Sequence, residues 1–245
     1  MPARSGAEGA GGASDALARR GREIFAPHRV GRPGQGAGYW PMWTLAQAIR
    51  VAYRIEISGA ELIAPGPAIL VGNHLNAIDP VVLGVSMRRR VAFVAKAEAL
   101  GGAAGFVLRT TGQVPLVRGD EAATAWALDA CAEVLRLGRC VGVYPEATRS
   151  PDGRSLHRLH RRILAPLITA NPTVAVHAVT VAYPAAHGLR RRAVLRVSAA
   201  LALDPSAMTA DDLTNAVRDA LIRTGDLPYV DRFGRSVKAA READG

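Results

Sequence analysis

Lysine is almost missing from this chain. Of its 31 Lys and Arg residues only Lys96 and Lys238 are lysines, so the net charge of +10 rests on arginine. Cysteine is scarce as well: Cys131 and Cys140 lack C-x-x-C spacing and follow no signal-peptide pattern, which argues against a disulfide framework and fits a reduced compartment. Aromatic residues are 5% of the chain against 49% hydrophobic, so the core must be aliphatic and large enough for a layered fold. A span of about 20 apolar residues, as a bilayer requires, is also lacking. The one uncharged run of that size, Ile163 to Ala186, is broken by Pro166, Pro172 and Pro184, and its β-branched portion from Thr173 reads as a buried strand. No G-x-S-x-G elbow occurs, which removes a serine nucleophile of that kind.

What is present is an excess of positive charge that calls for anionic partners. Phosphorylated small molecules, anionic lipid surfaces and nucleic acid all qualify electrostatically. Aromatics are not interleaved with the basic residues as single-strand readers require, and no helix-turn-helix or zinc spacing occurs. Nucleic acid is therefore not an expected partner, and a noncatalytic anionic-surface binder remains only as a rival reading.

Residues 1 to 38 hold nine of the 25 glycines and no sustained apolar period, so they are expected to form a flexible N-terminal tail outside a single domain over 39–245. Trp40, Trp43, Leu45, Ile49 and Tyr53, with Arg50 and Arg54, read as a helix that either lies on a membrane or packs on the domain. Beyond it, strands are predicted over Ala68–Gly72, Val91–Lys96, Gln113–Val117, Val141–Tyr144, Thr173–Tyr183 and Ala193–Ala200. Helices over Pro80–Ser86, Ala97–Arg109 and Glu121–Leu137 alternate with them, giving an α/β fold with a central, largely parallel sheet flanked by helices. A last helix is capped by Thr209, turns Leu213, Val217 and Leu221 to one face and ends at Gly225.

The chemistry starts where the apolar run from Ala68 stops. In Gly72-Asn73-His74-Leu75-Asn76-Ala77-Ile78-Asp79-Pro80, Pro80 suits a first helical turn and Asp79 the cap before it. A helix throughout would set His74 and Asp79 about 140° apart, so pairing them needs a loop. So paired, Asp79 would hold one imidazole nitrogen as a donor and leave the other to accept a proton. With no nucleophile motif beside them, the substrate's own hydroxyl is the expected nucleophile.

Three further segments follow in order: Lys96-Ala97-Glu98-Ala99-Leu100, Gly112-Gln113-Val114-Pro115-Leu116-Val117-Arg118 and Tyr144-Pro145-Glu146-Ala147-Thr148-Arg149-Ser150. With Asn73, His74 and Asp79 they resemble the four motifs of the PlsC-like glycerolipid acyltransferases, the family of the 1-acylglycerol-3-phosphate acyltransferases, over roughly Ile55 to Tyr183. The resemblance implies that His74 is the catalytic base and Asp79 its orienting partner. It implies an acyl group carried by CoA or acyl carrier protein as co-substrate, with no further cofactor and no metal. It implies a lysophospholipid acceptor, 1-acylglycerol 3-phosphate, converted to phosphatidic acid, with Arg118, Glu146, Thr148 and Arg149 on its glycerol phosphate. It further suggests a peripheral enzyme on an anionic membrane surface, at the cytoplasmic face of the cell membrane; the same chemistry on another lipid hydroxyl is the alternative. Ala147 stands where the family has glycine, and if that position needs a positive φ the loop is expected to shift. His157 and His160, three apart with no accompanying carboxylate or thiolate, read as a basic face toward CoA phosphates or lipid rather than a metal site.

Overall fold

The computed structural model describes residues 5–28, 30–87, 89–185 and 189–243; Arg88 and His187 lie outside them. A seven-stranded sheet runs through the molecule in the order β1-β8-β7-β2-β5-β3-β4. Its strands are β1 (Tyr53–Ser58), β2 (Ala68–Gly72), β3 (Val91–Lys96), β4 (Val114–Leu116), β5 (Cys140–Val143), β7 (Ala175–Ala182) and β8 (Arg191–Val197). Every neighbouring pair is parallel except β7 with β8. A small separate pair joins β6 (Leu156–His157) to β9 (Tyr229–Val230).

The helices are α1 (Ser5–Ile24), α2 (Tyr39–Ala46), α3 (Ile49–Ala52), α4 (Asp79–Ser86), α5 (Gly102–Thr111), α6 (Glu121–Arg136), α7 (Arg161–Thr169), α8 (Ala210–Gly225) and α9 (Gly234–Ala243). Strand β2 shows how the layers form. Its side chains point alternately to opposite faces, so Ile69 and Val71 enter one core with residues of α6, α7 and α8. Ala68 and Leu70 enter a second core with Val82 and Leu83 of α4. All five residues of β2 are buried, as a central strand of a covered sheet must be.

The described residues from Ser14 to Val30 pack on the domain where a flexible tail is expected. Helix α1 lies on α6: the Trp126 indole donates to the Leu17 carbonyl at 2.9 Å, Ser14 bonds Glu133, and Arg20 meets Asp129 at 2.7 Å. Ala18, Phe25 and Val30 are buried. The small residues that resemble a linker in composition here permit close packing, since a Cβ on Gly21 would come within 2.6 Å of the Trp126 ring. The expected helix through Tyr53 is two short helices followed by β1. That edge strand's period of two becomes decisive only when β8 pairs with it and Arg192 meets Glu56 at 2.8 Å.

Helix α8 carries the expected cap, with Thr209 and Asp212 exchanging backbone and side-chain hydrogen bonds. It ends at Gly225, as predicted, but the left-handed capping residue is Asp226, at φ 51°. Gly225 is needed for closeness instead: a Cβ there would stand 2.9 Å from the Thr180 Cβ.

Candidate active site

Strands β2, β3, β4 and β5 are parallel, so their carboxyl ends share one edge of the sheet, where open α/β sheets bind ligands. His74 follows β2, Lys96 ends β3, Arg118 follows β4, and Tyr144 to Arg149 follow β5. The chain order of the motifs thereby becomes one spatial cluster.

His74 and Asp79 are brought together by a loop. His74 Nδ1 lies 2.8 Å from Asp79 Oδ2, which also accepts from the backbone N–H groups of Leu75 at 2.7 Å and Asn76 at 2.8 Å. The expected capping role of Asp79 is not observed: it is the first residue of α4, and its carboxylate folds back on the preceding loop. Its other oxygen, Oδ1, accepts from the Tyr183 hydroxyl at 2.5 Å. A carboxylate with these donors around it is an acceptor only, so in the neutral imidazole Nδ1 carries the proton and Nε2 holds a lone pair. Asp79 is 1% exposed whereas the His74 side chain retains 20%. The imidazole stacks on Tyr144, ring centroids 4.7 Å apart, and Tyr144 stacks on Phe93. Glycine at position 72 makes room for this, because a Cβ would approach the Tyr144 ring to 2.7 Å. Asn73 ties the loop to β7 through paired hydrogen bonds with the Val181 backbone, 3.0 and 2.8 Å.

Glu146 occupies a different place from the one the resemblance implies. It is 1% exposed and does not line the cavity beside His74. Its Oε1 accepts from the His74 backbone N–H at 2.8 Å and its Oε2 from the His157 N–H at 2.9 Å. It thus clamps the His74 loop rather than reaching outward. His157 is likewise buried, at 2%, beside this carboxylate, and Glu146 pulls its imidazole above the usual histidine range. The basic face expected from His157 and His160 therefore does not exist: strand pairing of β6 with β9 turns His157 inward, while His160 lines the cavity stacked on Phe233 at 4.3 Å. Ala147 adopts φ 57°, so the position keeps the left-handed geometry and alanine takes it.

The cavity beside His74 measures about 660 Å³. Its wall has two characters. Helices α2, α4 and α5 supply Met42, Trp43, Val81, Val85, Val107 and Leu108. The strand-end loops supply Lys96, Arg118, Thr148 and Arg149, and α9 adds Lys238. Lys96, Arg118 and Arg149 have no hydrogen-bond or ion-pair partner among the described residues. Desolvation leads in pushing the Lys96 and Arg118 titrations below their ordinary ranges, followed by Arg118 for Lys96 and by Arg235 for Arg118. Such a cluster of unneutralised cations is built for an anion.

Sequence reasoning missed Tyr144, Tyr183 and Lys238. For the lysine a signal existed: the only two lysines of the chain both line this cavity. Tyr183 lies 104 residues from Asp79 and has no local pattern.

An acyltransferase family model matches residues 54–183, more than half of the chain. The chain belongs to the acyltransferase family. It is 34% identical over 105 residues to a chloroplastic 1-acyl-sn-glycerol-3-phosphate acyltransferase of Arabidopsis thaliana, an alignment covering 42% of this chain and 29% of that protein. It is 31% identical over 105 residues to a chloroplastic enzyme of the same description from Brassica napus, covering 42% of this chain and 30% of the relative. The matched region is thus under a third of these relatives' length. The crystal structure of the 1-acyl-sn-glycerophosphate acyltransferase PlsC from Thermotoga maritima superposes with a TM-score of 0.60 at 22% identity, over 77% of this chain and 78% of that one, and establishes the shared fold.

Proposed function

We propose that this protein transfers a fatty acyl group from an acyl thioester of CoA or acyl carrier protein to the free hydroxyl of 1-acylglycerol 3-phosphate, giving phosphatidic acid. The observation that carries the reading is the His74–Asp79 pair on a cavity with both an apolar wall and a cationic one. In this reading, His74 Nε2 takes the acceptor's hydroxyl proton while the oxygen attacks the thioester carbonyl carbon. The tetrahedral intermediate collapses, the C–S bond breaks, and the imidazolium returns its proton to the leaving thiolate. The acyl chains would occupy the side lined by α2, α4 and α5, and the acceptor's phosphate the side of Arg118 and Arg149, with planar guanidinium forks suited to phosphate oxygens. Thr148, on the same wall, would contact the glycerol phosphate region, whereas Glu146 would act by holding the His74 loop.

The reaction would take place at a membrane surface. Trp40, Leu45 and Phe106 are 44%, 66% and 57% exposed on α2 and α5, the helices that wall the apolar side. Arg50 and Arg54 follow closely in the chain. This combination supports peripheral attachment to anionic lipid. No helix among the described residues is long and apolar enough to cross a membrane. Because the donor thioesters are intracellular metabolites, the cytoplasmic face is the side proposed.

The test is an acylation assay with labelled acyl-CoA and a panel of phosphorylated and neutral lyso-acceptors. Wild type should prefer the phosphorylated ones. Arg118→Ala should lower kcat/KM for lysophosphatidate by about one to two decades, as the loss of a charge-assisted hydrogen bond implies, with little effect on a neutral acceptor. Arg118→Lys should restore part of it. Equal use of both acceptor types, unchanged in Arg118→Ala, would replace lysophosphatidate with another lipid hydroxyl as acceptor.

A further inference from the structure

Helix α9 lies beyond residues 54–183, the region matched by the family model, yet it is fastened to the site at several points. The β9 strand before it pairs with β6, placing Val230 opposite His157. Phe233 stacks on His160, and the Arg158 guanidinium lies over its ring at 5.2 Å from the centroid. Gly234 is buried against Thr148, where a Cβ would come within 2.9 Å of the threonine methyl. Arg241 donates to the Pro151 carbonyl at 2.9 Å. These contacts, from Gly234 at its start to Arg241 in its last turn, hold α9 beside the loop after β5.

Lys238 thereby reaches the cavity wall that already holds Lys96, Arg118 and Arg149. In a chain with 31 cationic residues and only two lysines, both lysines sit on one cavity. An ammonium is a compact charge on a long flexible stem, able to follow a ligand that arginine forks hold in place. The carboxylates near this wall are few. Glu98 stands near Lys96 and Arg118, and Glu242 pairs with Lys238 at 3.7 Å in an exposed i,i+4 contact. An exposed pair of that kind is weak, so a phosphate can draw the ammonium away from it.

We infer that α9 is part of the anion site, and that Lys238 binds the phosphate monoester of the acceptor together with Arg118 and Arg149. The inference rests on the acceptor reading above and adds to it a specificity residue from outside the matched region. Because phosphate is also carried by the donor, the experiment separates the two sources.

The full chain and its Lys238→Ala, Lys238→Arg and Arg118→Ala variants are compared in two measurements. The first is steady-state acylation with acceptor and donor varied separately. Lys238→Ala should raise KM for the phosphorylated acceptor about three- to tenfold, the range between an exposed and a partly desolvated charged contact. The KM for acyl-CoA should stay as in wild type, and Lys238→Arg should recover most of the loss. The second is the rise in melting temperature produced by inorganic phosphate at fixed ionic strength, which should be smaller in Lys238→Ala. If phosphate stabilises wild type and Lys238→Ala equally but not Arg118→Ala, the anion site stands and α9 is no part of it. A Lys238→Ala effect confined to KM for acyl-CoA overturns the inference in favour of a donor contact. If phosphate does not stabilise even wild type, the acceptor-phosphate reading itself fails.

Discussion

The Tyr183 hydroxyl donates to Asp79 Oδ1 at 2.5 Å, so the buried carboxylate is held from both sides, by Tyr183 at one oxygen and by His74 and two backbone N–H groups at the other. Burial first, and the Asp79 charge second, keep the Tyr183 phenol protonated far above its ordinary range. Tyr183 is therefore a permanent donor. Its removal leaves Asp79 with less of its charge neutralised and a freer rotamer. Tyr183→Phe should lower kcat by about three- to tenfold, a charged hydrogen bond's lower range. A kcat equal to wild type would reduce Tyr183 to a packing role.

For the pair itself, His74→Ala should cost about 10² to 10⁴ in rate, the contribution of a positioned base. Asp79→Asn should also disable turnover while leaving a cooperative thermal transition. Substantial acyl transfer by folded His74→Ala would sink the proposed mechanism.

Glu146 and His157 link activity to pH-dependent stability. The neighbouring carboxylate raises the His157 titration, with burial opposing it. A raised folded-state value means that the stabilisation is fully present below the unfolded histidine range, about pH 6.5, and fades as pH climbs through the folded value. Melting temperature should accordingly decline across that interval. In Glu146→Gln the decline should flatten. The same variant should lose about 1 to 3 kcal/mol, since an amide cannot accept at both ends and one buried N–H is left unmatched. A parallel pH profile in wild type and variant would uncouple the two residues.

Ala147 at φ 57° carries strain that glycine would not. A left-handed alanine costs roughly 1 to 2 kcal/mol, partly offset by the greater freedom glycine has when unfolded. Ala147→Gly should thus raise stability by up to about 1 kcal/mol, read from a denaturant midpoint. Ala147→Val, with a branched Cβ in the same conformation, should lower it.

The exposed apolar rim gives a prediction for binding. A Trp40→Ala, Leu45→Ala, Phe106→Ala variant should sediment less with anionic vesicles than wild type, and added salt should weaken wild-type binding. Trp43 is left in place because its indole donates to the Gly84 carbonyl at 2.9 Å and supports α2 on α4. Wild-type binding by the triple variant would mean that these side chains do not contact lipid.

Local chemistry made much of this protein legible in one dimension. The limits of β2 and β3, the Thr209 cap and the pairing of His74 with Asp79 follow from period, capping residues and a loop at a strand end, all settled within a few neighbouring residues. What only the tertiary structure decided depends on distant partners. Glu146 turns inward because two backbone N–H groups, 72 residues before it and 11 after it, need an acceptor away from water. Gly21 of α1 becomes a packing position only because Trp126 lies opposite. Lys96 and Lys238 stand 142 residues apart in the chain and meet at one cavity because a parallel sheet gathers its strand ends at one edge and β9 returns α9 to it. Residue type set what each group could do; the topology of the sheet determined which groups could act together.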